Sequence, residues 1–172
     1  MLETLTSNRA ETVRAAVKRV ALDQLKSGGP AAVAINAIAR ELGVSGPALY
    51  RYFKNRDALL TALAKDAYDD LADTLAHADS FTRAYREWAL AQPHRYRLLF
   101  SAPLPGYDAH QPELVAAAQR SMDLLLPLVD NDLTRAVTLW SRAHGHVSLE
   151  IEGNFASMGL DPEALYEATL AP

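Results

Sequence analysis

Along this chain apolar residues recur at three- and four-residue spacing in one segment after another, and glycine or proline stands at the breaks between them. Val13, Ala16, Val17, Val20, Ala21 and Leu25 form a first stripe. Asn8 with Glu11 three residues on reads as a capping box at its start, and Gly28-Gly29-Pro30 ends it. Ile35, Ile38, Ala39 and Leu42 form a second, shorter stripe, and Gly43 just past it supplies the left-handed residue that closes a helix. Ser45 is a good N-cap and Pro47 sits in a first turn, so a third short helix is expected over residues 46–53. At 100° per residue Leu49 and Phe53 face inward, whereas Pro47, Ala48 and Arg51 face outward with Tyr50 beside them.

From Arg56 or Asp57 to about His77, Leu59, Leu60, Leu63, Ala67, Leu71 and Leu75 keep helical spacing, and Asp66, Asp69, Asp70 and Asp73 mark the wet side. Further helices are expected over residues 81–92 and from Pro93 through Phe100. The stretch from Ser101 to Pro112, with Pro103, Pro105 and Gly106, has no periodicity and reads as a long loop. Pro112 opens the next helix, which Pro127 bends or ends, and Asp130 or Asn131 caps the one after. In that helix Leu133, Val137, Trp140, His144, Val147 and Ile151 line one side, and Leu139, Ala143 and Leu149 another. A helix apolar on two sides needs two partners, one of which could be a second copy of the chain. Asp161-Pro162 starts a last short helix bearing Leu165 and Leu170. The fold class is therefore all-α.

Helix, tight glycine turn and helix over residues 35–53 is compatible with an ordinary αα-hairpin and with a helix-turn-helix, whose second helix enters a DNA major groove. The residues decide between them. Gly43-Val44-Ser45, Leu49-Tyr50, Tyr52-Phe53, Lys54-Asn55-Arg56-Asp57 and Leu59-Leu60 closely resemble the signature of the TetR family of bacterial transcriptional regulators. Leu139 to Glu150, with Trp140, His144 and Gly145, resembles the Trp-His-Gly signature of one group within it, and Gln92 to Phe100 resembles the segment that precedes it there. The resemblance covers nearly the whole chain. It implies a helix-turn-helix domain over residues 1–56 and a helical ligand-binding and dimerisation domain over residues 57–172. Ala34 departs from the family pattern, standing where a Ser or Thr cap is common, and the last helix is short.

Charge changes the picture next. The 172 residues carry a net charge of −4, but residues 1–60 hold nine Lys and Arg against five acids, a net +4, which leaves −8 for the rest. A basic head on an acidic body concentrates attraction for phosphates at one end. On the DNA reading, Tyr50, Tyr52, Lys54 and Arg56 match family positions that hold phosphates, while Pro47, Ala48 and Arg51 face the bases, with Ser45 and Gly46 at the start of the same helix. Asn36, outward on the preceding helix, is a candidate for either role. Arg51 is the expected base reader, since a guanidinium engages guanine O6 and N7 together.

In the second domain Trp88, Tyr96, Phe100, Met122, Trp140 and His144 are the candidates to line an apolar effector pocket. Aromatics at helical spacing are more often core, and a histidine in an apolar stripe is more often a hydrogen-bonded structural group than a ligand. Val137, Val147, Ile151 and Leu165 are the expected dimer contacts. The expected partners are double-stranded operator DNA with inverted half-sites, a small-molecule effector and a second copy of the chain. No cofactor or metal is expected: cysteine is absent, and His144 and His146 diverge by about 200° on a helix. No HExxH, GxSxG or phosphate-cradling glycine loop supports an enzyme. A helical interaction module without DNA requires the basic helix to be coincidental. With no signal peptide and no apolar run of membrane length, a cytoplasmic location is expected.

Overall fold

The computed structural model describes the backbone of residues 2–101 and 104–170, with side chains from Arg9 onward. Pro103 of the expected loop and the Asn8 side chain lie outside that set. The described residues form helices α1 (Leu2–Ala32), α2 (Ile35–Glu41), α3 (Gly46–Tyr50), α4 (Arg56–Ala76), α5 (Phe81–Ala91), α6 (Pro93–Phe100) and α7 (Pro112–Leu125). A 3-10 turn (Leu126–Val129) follows, then α8 (Leu133–Ile151), α9 (Asn154–Ser157) and α10 (Pro162–Leu170), and no strand is found among them. The chain divides into two compact units, residues 1–66 with 97–111 and residues 67–96 with 112–172. That division differs from the expected boundary after residue 56, because the beginning of α4 and the residues that follow Tyr96 cluster with the head.

In the first unit, α1 runs through Asn8 rather than starting there, so the expected capping box does not open the helix. It breaks where expected, at Gly28 and Gly29, the latter at φ 68°. Val17, Val20, Ala21 and Leu25 are buried with Ile35, Ile38 and Ala39 of α2, Leu49 of α3, Phe53, and Leu59, Leu60 and Leu63 of α4. Burying a Leu or Ile side chain is worth about 1.5–3 kcal/mol, which is how two helices of seven and five residues, too short to persist alone, are held. Lys18 on α1 pairs with Asp66 on α4 at 2.7 Å. Thr61, a buried hydroxyl on α4, lies 2.9 Å from Tyr107 Oη and accepts a bond from Gln111 Nε2 at 3.1 Å, so part of the aperiodic loop is tied to α4.

In the second unit, α8 packs against α5 and α10. Ala84, Tyr85, Trp88 and Ala89 give α5 a single buried face, and Ala136, Ala143, His146 and Val147 do so for α8. Asp130 and Asn131 both adopt φ 58° after the 3-10 turn, and the cap of α8 is Asp132, whose side chain accepts the Arg135 N–H at 3.1 Å. The cap thus falls one or two residues later than expected. The acids of α4 are also more than a wetted face. Asp69 and Asp73 both hold Arg120 of α7, and Asp70 Oδ2 accepts from Trp88 Nε1 at 2.8 Å and from Gln92 Nε2 and Arg95 Nη1 at 3.0 Å.

Candidate nucleic-acid interface

The turn between α2 and α3 is set by Gly43 at φ 67°. The Val44 N–H reaches the Ala39 carbonyl at 2.9 Å and the Gly43 N–H reaches that of Arg40 at 3.2 Å, a Schellman closure that satisfies two carbonyls at the end of α2. Any residue with a Cβ would be strained at that φ. At the other end of α2, Ala34 has no side-chain cap, but Gln24 of α1 accepts the Ala34 N–H at 3.0 Å and fixes the entry of the chain. Ser45 has the extended backbone of an N-cap, although its hydroxyl makes no capping bond. A Cβ on Gly46 would come within 2.9 Å of Asn36 Oδ1, so glycine here lets the start of α3 close on α2.

These contacts present one side of α3 to solvent. Leu49 is buried, whereas Pro47, Tyr50 (45% exposed) and Arg51 are exposed and Ala48 is half-buried. Asn36, Ser45 and Lys54 are exposed as well, and Gly46, Tyr52 and Arg56 are half-buried. The helix itself ends at Tyr50, three residues short of the expected Phe53. Arg51 and Tyr52 therefore lie in the turn beyond it, although Phe53 is buried as expected. Arg51 and Tyr52 line a cleft of about 490 Å³ together with Arg9, Ala10 and Arg14 of α1, a feature that periodicity within α3 alone does not signal. Arg56 donates from Nη1 to the Ala31 carbonyl at 3.5 Å.

In the second unit the structure separates the candidate pocket residues. Trp88 and Tyr96 are 5% and 3% exposed and belong to the core. Trp88 is bound to Asp70, while the Tyr96 hydroxyl donates to the His144 carbonyl at 3.1 Å and lies 2.8 Å from its Nδ1. Tyr85 Oη lies 3.2 Å from the same nitrogen. Trp140 stacks on His144 with ring centroids 5.3 Å apart. His144 is thus hydrogen-bonded within the unit, and burial holds its pKa below the ordinary histidine value. Burial likewise pushes the Tyr96 hydroxyl up to about 12. Trp140, Met122 and His144 are half-buried, and Phe100 falls in the first unit. Among the expected dimer contacts, Val147 is 0% exposed within its own chain and is a core residue, whereas Val137 is 42% exposed and Ile151 and Leu165 are half-covered. A Cβ on Gly145 would meet nothing within 4 Å, so this glycine serves no close packing inside the protomer.

A helix-turn-helix with an exposed second helix, followed by a helical second unit, defines a DNA-binding transcriptional regulator, and the comparisons with known proteins agree. Residues 19–63 match the family described as bacterial regulatory proteins, tetR family, and residues 78–171 match the tetracyclin repressor-like C-terminal domain. The chain belongs to the TetR family. It is 30% identical to the HTH-type transcriptional regulator Rv1816 of Mycobacterium tuberculosis, over 92% of this chain and 89% of that protein. It is also 40% identical to the tetracycline repressor protein class C of Escherichia coli, over 44% of this chain and 32% of the repressor. The crystal structure of the protein SCO4313 superposes with a TM-score of 0.86 at 37% identity, covering 95% of this chain and 96% of that one. Relatives and family are regulators rather than enzymes, and no described helix is long and apolar enough to cross a membrane.

Proposed function

We propose that the protein is a ligand-responsive repressor that binds an inverted-repeat operator as a homodimer and is released by a small-molecule effector. The observation that carries the DNA half of this reading is the exposed side of α3, held clear of the core by the buried Leu49 and the Gly43 turn. In this reading Pro47, Ala48 and Arg51 face the bases in the major groove, with Asn36 and Ser45 at the edge of that surface. Tyr50, Tyr52, Lys54 and Arg56 are the phosphate contacts. A single head offers few contacts, and a two-fold pair places two α3 helices one helical turn of DNA apart, roughly 34–36 Å. Exposed Leu133 and Val137 on α8, outside the protomer's own core, support a face for the second copy.

The effector belongs to the second unit, with half-buried Trp140 and His144 its nearest aromatic and polar contacts. Its route to the DNA head is α4, which runs from Arg56 to Ala76 without a glycine or proline. An effector that prefers one placement of α4 weakens operator binding, and the operator must then weaken the effector by the same factor. The test is selection of bound sequences from a randomised duplex library, followed by a thermal-shift screen of small apolar metabolites on the free protein and on the protein–operator complex. Recovery of a palindrome, and a metabolite whose affinity falls when operator is present, are expected. A non-palindromic preference removes the dimeric operator, and equal affinities with and without DNA remove the allosteric release.

A further inference from the structure

Leu114, Ala117 and Leu125 of α7 are buried, and at 100° per residue they share one arc of the helix with Ser121 near its centre. Ser121 Oγ is buried and has no hydrogen-bond partner, the one such side-chain atom among the described residues. A hydroxyl inside a helix ordinarily donates to the carbonyl four residues back. Thr74, Thr138 and Thr169 all do so here, at 2.8 Å. Ser121 does not, and a buried hydroxyl left unpaired destabilises the fold where an alanine, as at 117, would fill the same arc. The surroundings of this hydroxyl are adaptable. The backbone of α7 runs close to the 3-10 turn that follows it but along no other helix of its unit, whereas α8 lies close along α5 and α10. Small side chains on a helix that stands off its neighbours are covered by longer side chains reaching across. Half-buried Met122 and Leu124 flank the arc, and an unbranched thioether re-packs around irregular occupants.

Charge narrows what such a donor can serve. The second unit contains no lysine. Its Arg83, Arg86, Arg95, Arg120 and Arg135 each pair with a carboxylate of the same unit, and Arg142 is exposed. An anion taken into this interior would have to draw an arginine away from its carboxylate. We propose that the Ser121 hydroxyl is the anchor for the effector, an uncharged, mostly apolar molecule whose one hydrogen-bond acceptor, a carbonyl or ether oxygen, accepts its proton on the inner side of α7. The proposal rests on the reading of the second unit as the effector domain, and it adds a donor on α7 to the contacts given for α8. His144 Nδ1 already lies within reach of the Tyr85 and Tyr96 hydroxyls, so Ser121 is the group whose bonding a ligand completes rather than replaces. An analogue without the acceptor leaves the hydroxyl unpaired, which is what makes a single buried donor selective.

The experiment uses the full chain, wild type and Ser121→Ala, with probes built on one ring: acetophenone, toluene, benzoate and benzylammonium. Alanine is a better helix former than serine and leaves no polar atom behind, so the variant keeps the fold. Without a probe, Ser121→Ala is expected to melt at or above the wild type. A wild type that melts higher shows the hydroxyl already bonded in the free protein, to water or to protein, and overturns the proposal. Affinities follow from melting shifts over a concentration series. Acetophenone is expected to bind wild type about tenfold more tightly than Ser121→Ala, and toluene to bind both alike. Benzoate or benzylammonium binding as tightly as acetophenone would overturn the uncharged class. Equal acetophenone affinities in the two proteins, or no binding of acetophenone at millimolar concentration, would overturn the anchor. Operator affinity with and without acetophenone separates this proposal from the reading it rests on. Ser121-dependent binding that leaves operator affinity unchanged defeats effector release and keeps the site. A metabolite that releases the operator from Ser121→Ala as readily as from wild type keeps effector release and refutes the site.

Discussion

The indole nitrogen of Trp88 lies 2.8 Å from Oδ2 of Asp70, joining the most buried aromatic face of α5 to a carboxylate on α4. The same oxygen accepts from Gln92 and Arg95, so one acid ties α4 to three positions on or beside α5 and α6. Asp70→Ala strands the buried indole N–H and is expected to cost about 2 kcal/mol in urea unfolding, discounted for a carboxylate that is partly exposed. Asp70→Asn keeps an acceptor for Trp88 and should cost about 1 kcal/mol, with most of that loss abolished in an Arg95→Gln background.

His144 carries a pH prediction. Burial lowers its pKa below 6.5, so below that pH the unfolded chain binds a proton more readily than the folded one. The stability from keeping it neutral is full above pH 6.5 and is lost as pH falls through that value toward the lowered folded pKa. His146 is lowered as well, by burial first, and adds a loss of the same sign. Urea midpoints of the wild type should therefore decline from pH 7.5 to 5.5, and His144→Gln should decline less steeply. An identical slope in the variant would show that the imidazole contributes nothing to the dependence.

Arg86 and Glu150 form an enclosed ion pair in the second unit, 2.7 Å apart with each side chain 11% exposed, and Arg86 also binds Glu163 and lies over the Tyr166 ring. Removing one partner leaves the other charge in a low-dielectric site. Arg86→Met is expected to cost about 3 kcal/mol, and adding Glu150→Gln should recover part of it. Chemical denaturation of the singles and the double completes the cycle; a strictly additive double would mean the two side chains do not interact.

The dimer face can be tested without touching the core. Val147 is wholly covered by its own chain, so a charge there would unfold the unit whatever the oligomeric state. Val137→Glu is the better probe, and sedimentation should show a shift from dimer to monomer with the melting of secondary structure preserved. Gly145→Ala meets no atom within 4 Å and should stabilise the protomer by about 0.5–1 kcal/mol. If the glycine admits the second copy, the same change weakens association, and a monomer–dimer equilibrium that stays in place would rule that role out.

Much of the fold was legible because local rules and burial coincide. Ile35, Ile38 and Leu49 mark the helix-turn-helix core by spacing, and Gly43 marks its turn by the backbone conformation it permits. The site was legible where side chains on one helix decide it, as with exposed Pro47 and Tyr50. It was not legible where elements distant in sequence meet. Asp66 to Asp73 read as a solvated stripe because nothing local tells of Lys18, Arg120 or Trp88 arriving from 18 to 51 residues away. The end of α3 was read three residues too late because Arg51 keeps a helical backbone and the Phe53 N–H still reaches the Leu49 carbonyl beyond the last residue of the helix. Val147 was placed on an interface because an apolar stripe does not say which side the protomer covers for itself.

The bonds from Thr61 to Tyr107 and Gln111 also bear on how the molecule tolerates cutting and grafting. A stretch rich in proline and glycine, without periodicity, is where an engineer would splice in a fluorescent reporter and where a protease would be expected to nick. Here residues 107–111 are fastened to a buried hydroxyl of α4, so an inserted domain at that point would pull on the helix it was meant to report on. The turn around Met158 and Leu160, both exposed and hydrogen-bonded among the described residues only to the backbone of nearby Phe155, is a place where the chain can be opened at small cost.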